Sequence, residues 1–212
     1  VTGAEFPDAS QVVSRLRIHK DDSEIAAIRQ AVQVAQKALE ALIPHIKIGM
    51  TEEQVAAELL LQLLRAGTQP ELSFSPIVSS GPNGANPHAT PSQRKLQAGD
   101  LLVIDWGALS GGYVSDLTRT FAVGEVDEEY QKIHRIVQEA NAAGREAGKP
   151  GVRCSEVDFA ARQVIEKTGY GNFFIHRTGH GIGMEGHEEP YIRSGNDQIL
   201  EPGMCYTVEP GI

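Results

Sequence analysis

The stretch Leu96-Gln97-Ala98-Gly99-Asp100-Leu101-Leu102-Val103-Ile104-Asp105 has a counterpart 104 residues later, Leu200-Glu201-Pro202-Gly203-Met204-Cys205-Tyr206-Thr207-Val208-Glu209. Each has a leucine, a glycine three residues on, an apolar-rich run and a terminal carboxylate at the same spacing. Two more blocks repeat at nearly the same displacement. Gly49, Val55 and Gly67 match Gly151, Val157 and Gly169, and Ile28, Val32, Gln33 and Ala35 match Ile133, Val137, Gln138 and Ala140. A single coincidence of glycines and valines carries little weight, but three ordered blocks imply two similar halves.

Around these blocks the order helix, helix, loop, strand occurs twice. Asp21-Asp22-Ser23-Glu24 offers N-capping oxygens ahead of Ile25, Ile28, Val32, Ala35, Leu39 and Leu42 at helical spacing, ending near Pro44. Thr51 with Gln54 forms a capping box for a second helix that Gly67 closes. A loop rich in Pro, Gly, Asn and Ser covers 75–95, and strands follow at 101–104 and 113–123. Asp127 and Ser155 are the expected caps of a third and a fourth helix, the latter closed by Gly169. Strands are expected again at 173–176 and 204–208. The expected organisation is a lead-in segment over 1–20 and one α+β domain over 21–212, with halves of about 21–124 and 125–212 facing each other about a pseudo-twofold axis.

Composition narrows the function classes. With 41% apolar and 22% charged residues the chain is an ordinary globular one, not a disordered one. Its net charge of −9 has the wrong sign for nucleic acid or anionic membrane as partner. No apolar run approaches the roughly 20 residues of a membrane span, so a soluble protein is expected. Only Cys154 and Cys205 occur, without a CxxC spacing; this fits buried free thiols in a reducing, cytoplasmic setting. The chain starts at Val1 without Met and stops just after an apolar run, and both ends read as cut.

The chemistry sits on the repeat. If Ser110-Gly111 is a two-residue hairpin loop, paired positions sum to 221 and Asp105 stands opposite Asp116, Cβ atoms about 4.5–5.5 Å apart. Two such carboxylates repel unless a cation or proton lies between them. Exposed, solvated aspartates are the alternative, but Asp105 ends an apolar run and precedes Trp106. The second half adds nitrogen: His176, His180 and His187 fall within twelve residues of a chain with seven histidines. Gly179, Gly181 and Gly183 exclude a comfortable helix there and imply an irregular strand or turn with close backbone approach. His180 with Asp105, Asp116 and Glu209 makes an oxygen-rich set suited to Mn, Zn, Co or Fe(II) with bound water. Two patterns mislead. Gly181-Ile182-Gly183-Met184-Glu185-Gly186 satisfies GxGxxG, yet Pro190 lies where a helix should run, and His187-Glu188-Glu189-Pro190-Tyr191 lacks the second histidine of HExxH.

Asn86-Pro87-His88, Ile104-Asp105-Trp106-Gly107, Ser115-Asp116-Leu117-Thr118-Arg119-Thr120, Gly179-His180-Gly181-Ile182-Gly183, His187-Glu188 and Thr207-Val208-Glu209-Pro210-Gly211 come in the order found in the pita-bread metallopeptidases, which the chain resembles from about Asp22 onward. These comprise methionine aminopeptidase, aminopeptidase P, prolidase and the divergent relative creatinase. The surroundings of Trp106, Asp116 to Thr120 and Gly183 to Pro190 are more similar to the Xaa-Pro peptidases. The resemblance implies a dinuclear metal site between the halves. Asp105 would chelate one ion, Asp116 would bridge two, and His180 and Glu209 would hold the second. Two divalent ions (Mn, Co or Zn) about 3.5–4 Å apart would share a nucleophilic hydroxide and polarise the scissile carbonyl. It further implies Glu209 as proton acceptor, His88 and His187 as catalytic and substrate-binding groups, His176 near the substrate's proline, proline-containing peptides as partners, and a homodimer.

The family also has a bridging glutamate on the strand after Glu209. The repeat places its equivalent near position 220, as Asp116 follows Asp105, whereas the chain stops at Ile212. Partial metal occupancy and impaired activity are therefore expected. The competing readings are a methionine aminopeptidase and a non-catalytic pita-bread binding module.

Overall fold

Asp21 starts the first long helix as its neighbours require. In the computed structural model, which describes residues 10–72 and 74–212, its carboxylate accepts from the Ser23 and Glu24 amides while Glu24 reaches back to the Asp21 amide. This reciprocal cap satisfies donors that the first helical turn leaves free. Of the expected lead-in, residues 1–9 lie outside the described residues. The rest is not structureless: Ser10–Arg17 forms a short helix (α1) with Arg15 and Arg17 in its last turn. Its apolar Val12, Val13 and Leu16 are exposed, so no buried stripe marked it in the sequence.

In the first half, α2 (Asp22–Leu42) packs on α3 (Glu52–Ala66), which carries the expected Thr51/Gln54 cap and ends at left-handed Gly67. Val34, Ala35, Ala38 and Leu42 meet Val55, Leu59 and Leu63 in one core. Next come β1 (Ile77–Ser80), β2 (Leu101–Trp106), a small hairpin of β3 (Leu109–Ser110) and β4 (Tyr113–Val114), and β5 (Leu117–Ala122). Strands β1, β2 and β5 form an antiparallel sheet in the order β1-β2-β5. Strand β2 alternates: Leu102, Ile104 and Trp106 are buried against the helices, and the Trp106 indole donates to the Ala35 carbonyl at 3.0 Å. Asp105 therefore points to the other face.

Two sequence expectations change here. The stretch 75–95 is not only loop, because β1 lies in it; four residues between Pro76 and Gly81-Pro82 with just two apolar side chains give almost no periodic signal. The rest of the stretch is organised by buried Glu52. Its carboxylate accepts from the amides and hydroxyls of both Ser80 and Ser92 and from the Asn83 amide. Burial raises the Glu52 pKa, but these bonds outweigh it and hold the group below its usual range. The hairpin register is also corrected. The two-residue loop is Gly111-Gly112, with φ of 59° and 80°, so paired positions sum to 223 and Asp105 faces Thr118. A tight primed turn needs positive φ at both central residues, which two glycines supply and Ser110 would resist.

The second half repeats the pattern. Helix α4 (Glu128–Ala147), capped by Asp127, packs on α5 (Cys154–Lys167), followed by β6 (Gly179–Gly181) and β7 (Glu188–Ile192), which pair antiparallel. The α5 cap is at Arg153 rather than Ser155. The Cys154 and Ser155 amides are taken by the Gln198 and Asn196 carbonyls, so the loop ahead of the second repeat block closes the helix. Residues 173–176 are not a strand: a 3-10 turn spans Gly171–Phe173, and the following carbonyls bond a side chain instead of a ladder. Met204 to Val208 is extended and bonded to the 178–182 segment, with Thr207 donating to the His180 carbonyl, but only as isolated bridges. Gly179 and Gly181 show the close approach expected: a Cβ on either would overlap the Thr207 or Glu189 carbonyl. Cys154 is buried and Cys205 partly so, both free thiols. No helix among the described residues is long and apolar enough to cross a membrane.

Candidate metal centre

Each half delivers acids to the space between them. Asp105 comes from the outward face of β2. Asp116 comes from the link between β4 and β5, which the neighbouring Ser115 pins: fully buried, it donates to the Ala31 carbonyl and accepts from the Ala108 amide. His180 is the middle residue of β6. Glu209 ends the extended segment beside it, its amide bonded to the Thr178 carbonyl at 2.7 Å. The mistaken register thus does not separate the two aspartates. Asp116 lies two residues before Thr118, the partner of Asp105, and is near enough for its charge to raise the Asp105 pKa.

Asp116, His180 and Glu209 present ligand atoms that all lie within 4.8 Å of one another. His180 Nε2 is 3.0 Å from Glu209 Oε1 and 3.4 Å from Asp116 Oδ2. Its Nδ1 is 3.0 Å from the Gly181 carbonyl, which can only accept, so Nδ1 keeps its proton; the proton that Nε2 shares with the acids is the one a metal would displace to reach the Nε2 lone pair. The Thr207 hydroxyl donates to Glu209 Oε1 at 2.9 Å and accepts from the His180 amide. Thr207 escaped the sequence reading, although its place two residues before Glu209 in an extended run puts both on one face.

The electrostatics describe a site waiting for positive charge. Burial, then the charges of Asp116 and Glu209, push the Asp105 pKa up to about 8. One of its buried oxygens, Oδ1, has no hydrogen-bond partner among the described residues. Burial lowers the His180 pKa, but the Asp116 and Glu209 carboxylates outweigh it and carry it up to about 9. Burial likewise raises the Glu209 pKa, yet bonds from His180 and Thr207 hold it below its ordinary value. A divalent cation answers all of these at once. Positive charge there would partner the orphan Asp105 oxygen, take the His180 Nε2 lone pair in place of a proton and relieve the carboxylate repulsion, so the residues present fit a divalent metal.

The other expected residues divide. The His187 ring stacks edge-on to His180 at 4.0 Å, and burial followed by the charges of His180 and Arg177 lowers its pKa. His176 is half-buried, donates from Nδ1 to the Arg177 carbonyl at 2.8 Å, and adds charge that lowers the Glu209 pKa. His88 is exposed on the turn from Asn86 to Ala89, and its side chain has no hydrogen bond or ion pair among the described residues.

The sequence profile of metallopeptidase family M24 matches residues 26–212. An Xaa-Pro dipeptidase of Lactobacillus delbrueckii subsp. lactis is 41% identical, covering 99% of this chain and 58% of the relative. Among solved structures, an Xaa-Pro dipeptidase from Bacillus anthracis superposes with a TM-score of 0.95 at 42% identity, over 98% of this chain and 58% of that one. An X-Pro aminopeptidase from Thermotoga maritima does so with a TM-score of 0.93 at 38% identity, over 97% of this chain and 58% of that one. The chain therefore has the pita-bread fold and spans somewhat over half the length of these relatives.

Proposed function

Because this chain belongs to the M24 metallopeptidases, we propose that it forms the catalytic part of a metal-dependent exopeptidase that hydrolyses Xaa-Pro bonds, with residues 21–212 as the domain and its two halves meeting at the metal. The observation that carries this reading is the Asp116, His180 and Glu209 cluster beside the unpartnered oxygen of Asp105. The relatives named Xaa-Pro dipeptidase support it over a methionine aminopeptidase.

Asp105 would hold one ion, His180 and Glu209 the other, with Asp116 shared; manganese, cobalt and zinc all suit this donor set. When bound, the ions supply a water activated at neutral pH and a Lewis acid for the scissile carbonyl. The chain's own residues do the rest. Glu209, held ionised by His180 and Thr207, is placed to accept a proton. Neutral His187, beside His180, can donate a hydrogen bond to the carbonyl oxygen as it gains charge. His88 and His176 would contact the substrate, the second on its proline side. A homodimer is part of the proposal by family likeness.

The test compares hydrolysis of Xaa-Pro dipeptides, Xaa-Pro-Yaa tripeptides and Met-Ala-Yaa peptides by a protein carrying this chain, loaded with manganese, cobalt or zinc. Cleavage confined to the proline substrates and abolished by chelator is expected. Failure to cleave any proline substrate with all three metals overturns the proposal.

A further inference from the structure

We infer that Asp158, Arg162 and Thr178 form a positioning device that sets the His176 to His180 segment and Glu209 from behind. Asp158 and Arg162 stand one turn apart on α5, and the Asp158 side chain is only 2% exposed. Arg162 grips it with two bonds, Nε to Oδ2 at 3.1 Å and Nη2 to Oδ1 at 3.0 Å. The same guanidinium then reaches out of the helix. Nη1 donates to the Phe174 carbonyl and Nη2 to the His176 carbonyl, both at 2.9 Å, while Cζ lies 4.0 Å from the centre of the Phe174 ring. Those carbonyls belong to a stretch with no strand partner among the described residues, so Arg162 supplies the donors a ladder would have given.

Thr178 closes the device. Its buried hydroxyl donates to Asp158 Oδ1 at 2.7 Å, and its carbonyl accepts the Glu209 amide at 2.7 Å. Two residues on, the His180 carbonyl accepts the Thr207 amide and the His180 amide donates to the Thr207 hydroxyl. A continuous path of short bonds thus runs from α5 to the backbones of His176, His180 and Glu209, none of which α5 touches through the metal centre itself. A lysine at position 162 would keep the charge but could not serve the carboxylate and both carbonyls together. The consequence for metal binding rests on the reading above that His180 and Glu209 are ligands; the consequence for backbone order does not.

The experiment measures amide hydrogen exchange in the metal-free wild type, Thr178→Val and Arg162→Lys, with cobalt titration followed by visible absorption on the same proteins. The Glu209 and Thr207 amides should exchange roughly 10-fold faster in the variants while Gly99 and Val123, bonded within the first half, stay unchanged. Cobalt affinity should fall about 10–100-fold. Thr178→Val is nearly isosteric and decides the matter if Arg162→Lys does not fold. Unchanged exchange at Glu209 in any variant that folds overturns the inference, as does a uniform rise in both halves. Faster local exchange in a protein whose wild type binds no cobalt supports the positioning device and counts against the metal reading.

Discussion

Asp105 carries two environments in one carboxylate. Without metal, its raised pKa means that the folded chain holds a proton the unfolded chain releases. This costs nothing below the unfolded pKa of 3.8, and stability is lost progressively as pH rises from there through about 8. Asp105→Asn, neutral at every pH, should therefore be increasingly more stable than wild type between pH 4 and pH 8 in chelator. With manganese added the order should reverse, since only wild type gains a ligand; melting curves at several pH values check both. His88 offers a separate test. Exposed and unbonded, it should be replaceable by Ala without loss of stability or metal affinity, while a catalytic contact with substrate would lower kcat by about 10²-fold or more in steady-state assays.

At the scale of the element, β6 shows why glycine is required rather than convenient. A methyl group on Gly179 would run into the Thr207 carbonyl, whereas Gly186 faces open space at ordinary φ. Gly179→Ala should cost about 1–3 kcal/mol or more, and Gly186→Ala almost nothing. At roughly 2–4 °C per kcal/mol for a chain of this size, thermal melting separates the two. The glycine spacing made this approach legible in the sequence, as the capping oxygens at Asp21 and the capping box at Thr51 made the helix starts legible. The failures have local causes. The hairpin register turned on which two residues adopt positive φ, and β1 was too short to show a period. The false strand at 173–176 reflects apolar residues whose carbonyls Arg162 satisfies from a distant helix turn, a long-range bond no local pattern encodes. Helix α5 started two residues early because backbone carbonyls of the 196–198 loop, not a side chain, take its first amides.

Across the whole molecule the proposed metal site would be the seam. Asp105 and Asp116 belong to the first half and His180 and Glu209 to the second, so a bound ion would tie the first-half core to the half that holds the other two hydrophobic clusters. An ion present at 100 times its dissociation constant adds about 2.7 kcal/mol of stability. Chelation should accordingly lower Tm by about 5–10 °C, and Asp116→Asn should lose most of that difference. The repeat displaced by about 104 residues made this proposal legible in the sequence, because it put carboxylates at equivalent ends of equivalent extended runs. The measurement that tests it most directly is anomalous diffraction at the manganese edge from crystals grown with manganese. A peak flanked by Asp116, His180 Nε2 and Glu209, with the Asp105 carboxylate turned toward the same centre, is the predicted result. No peak there, or manganese held only elsewhere on the surface, would contradict it.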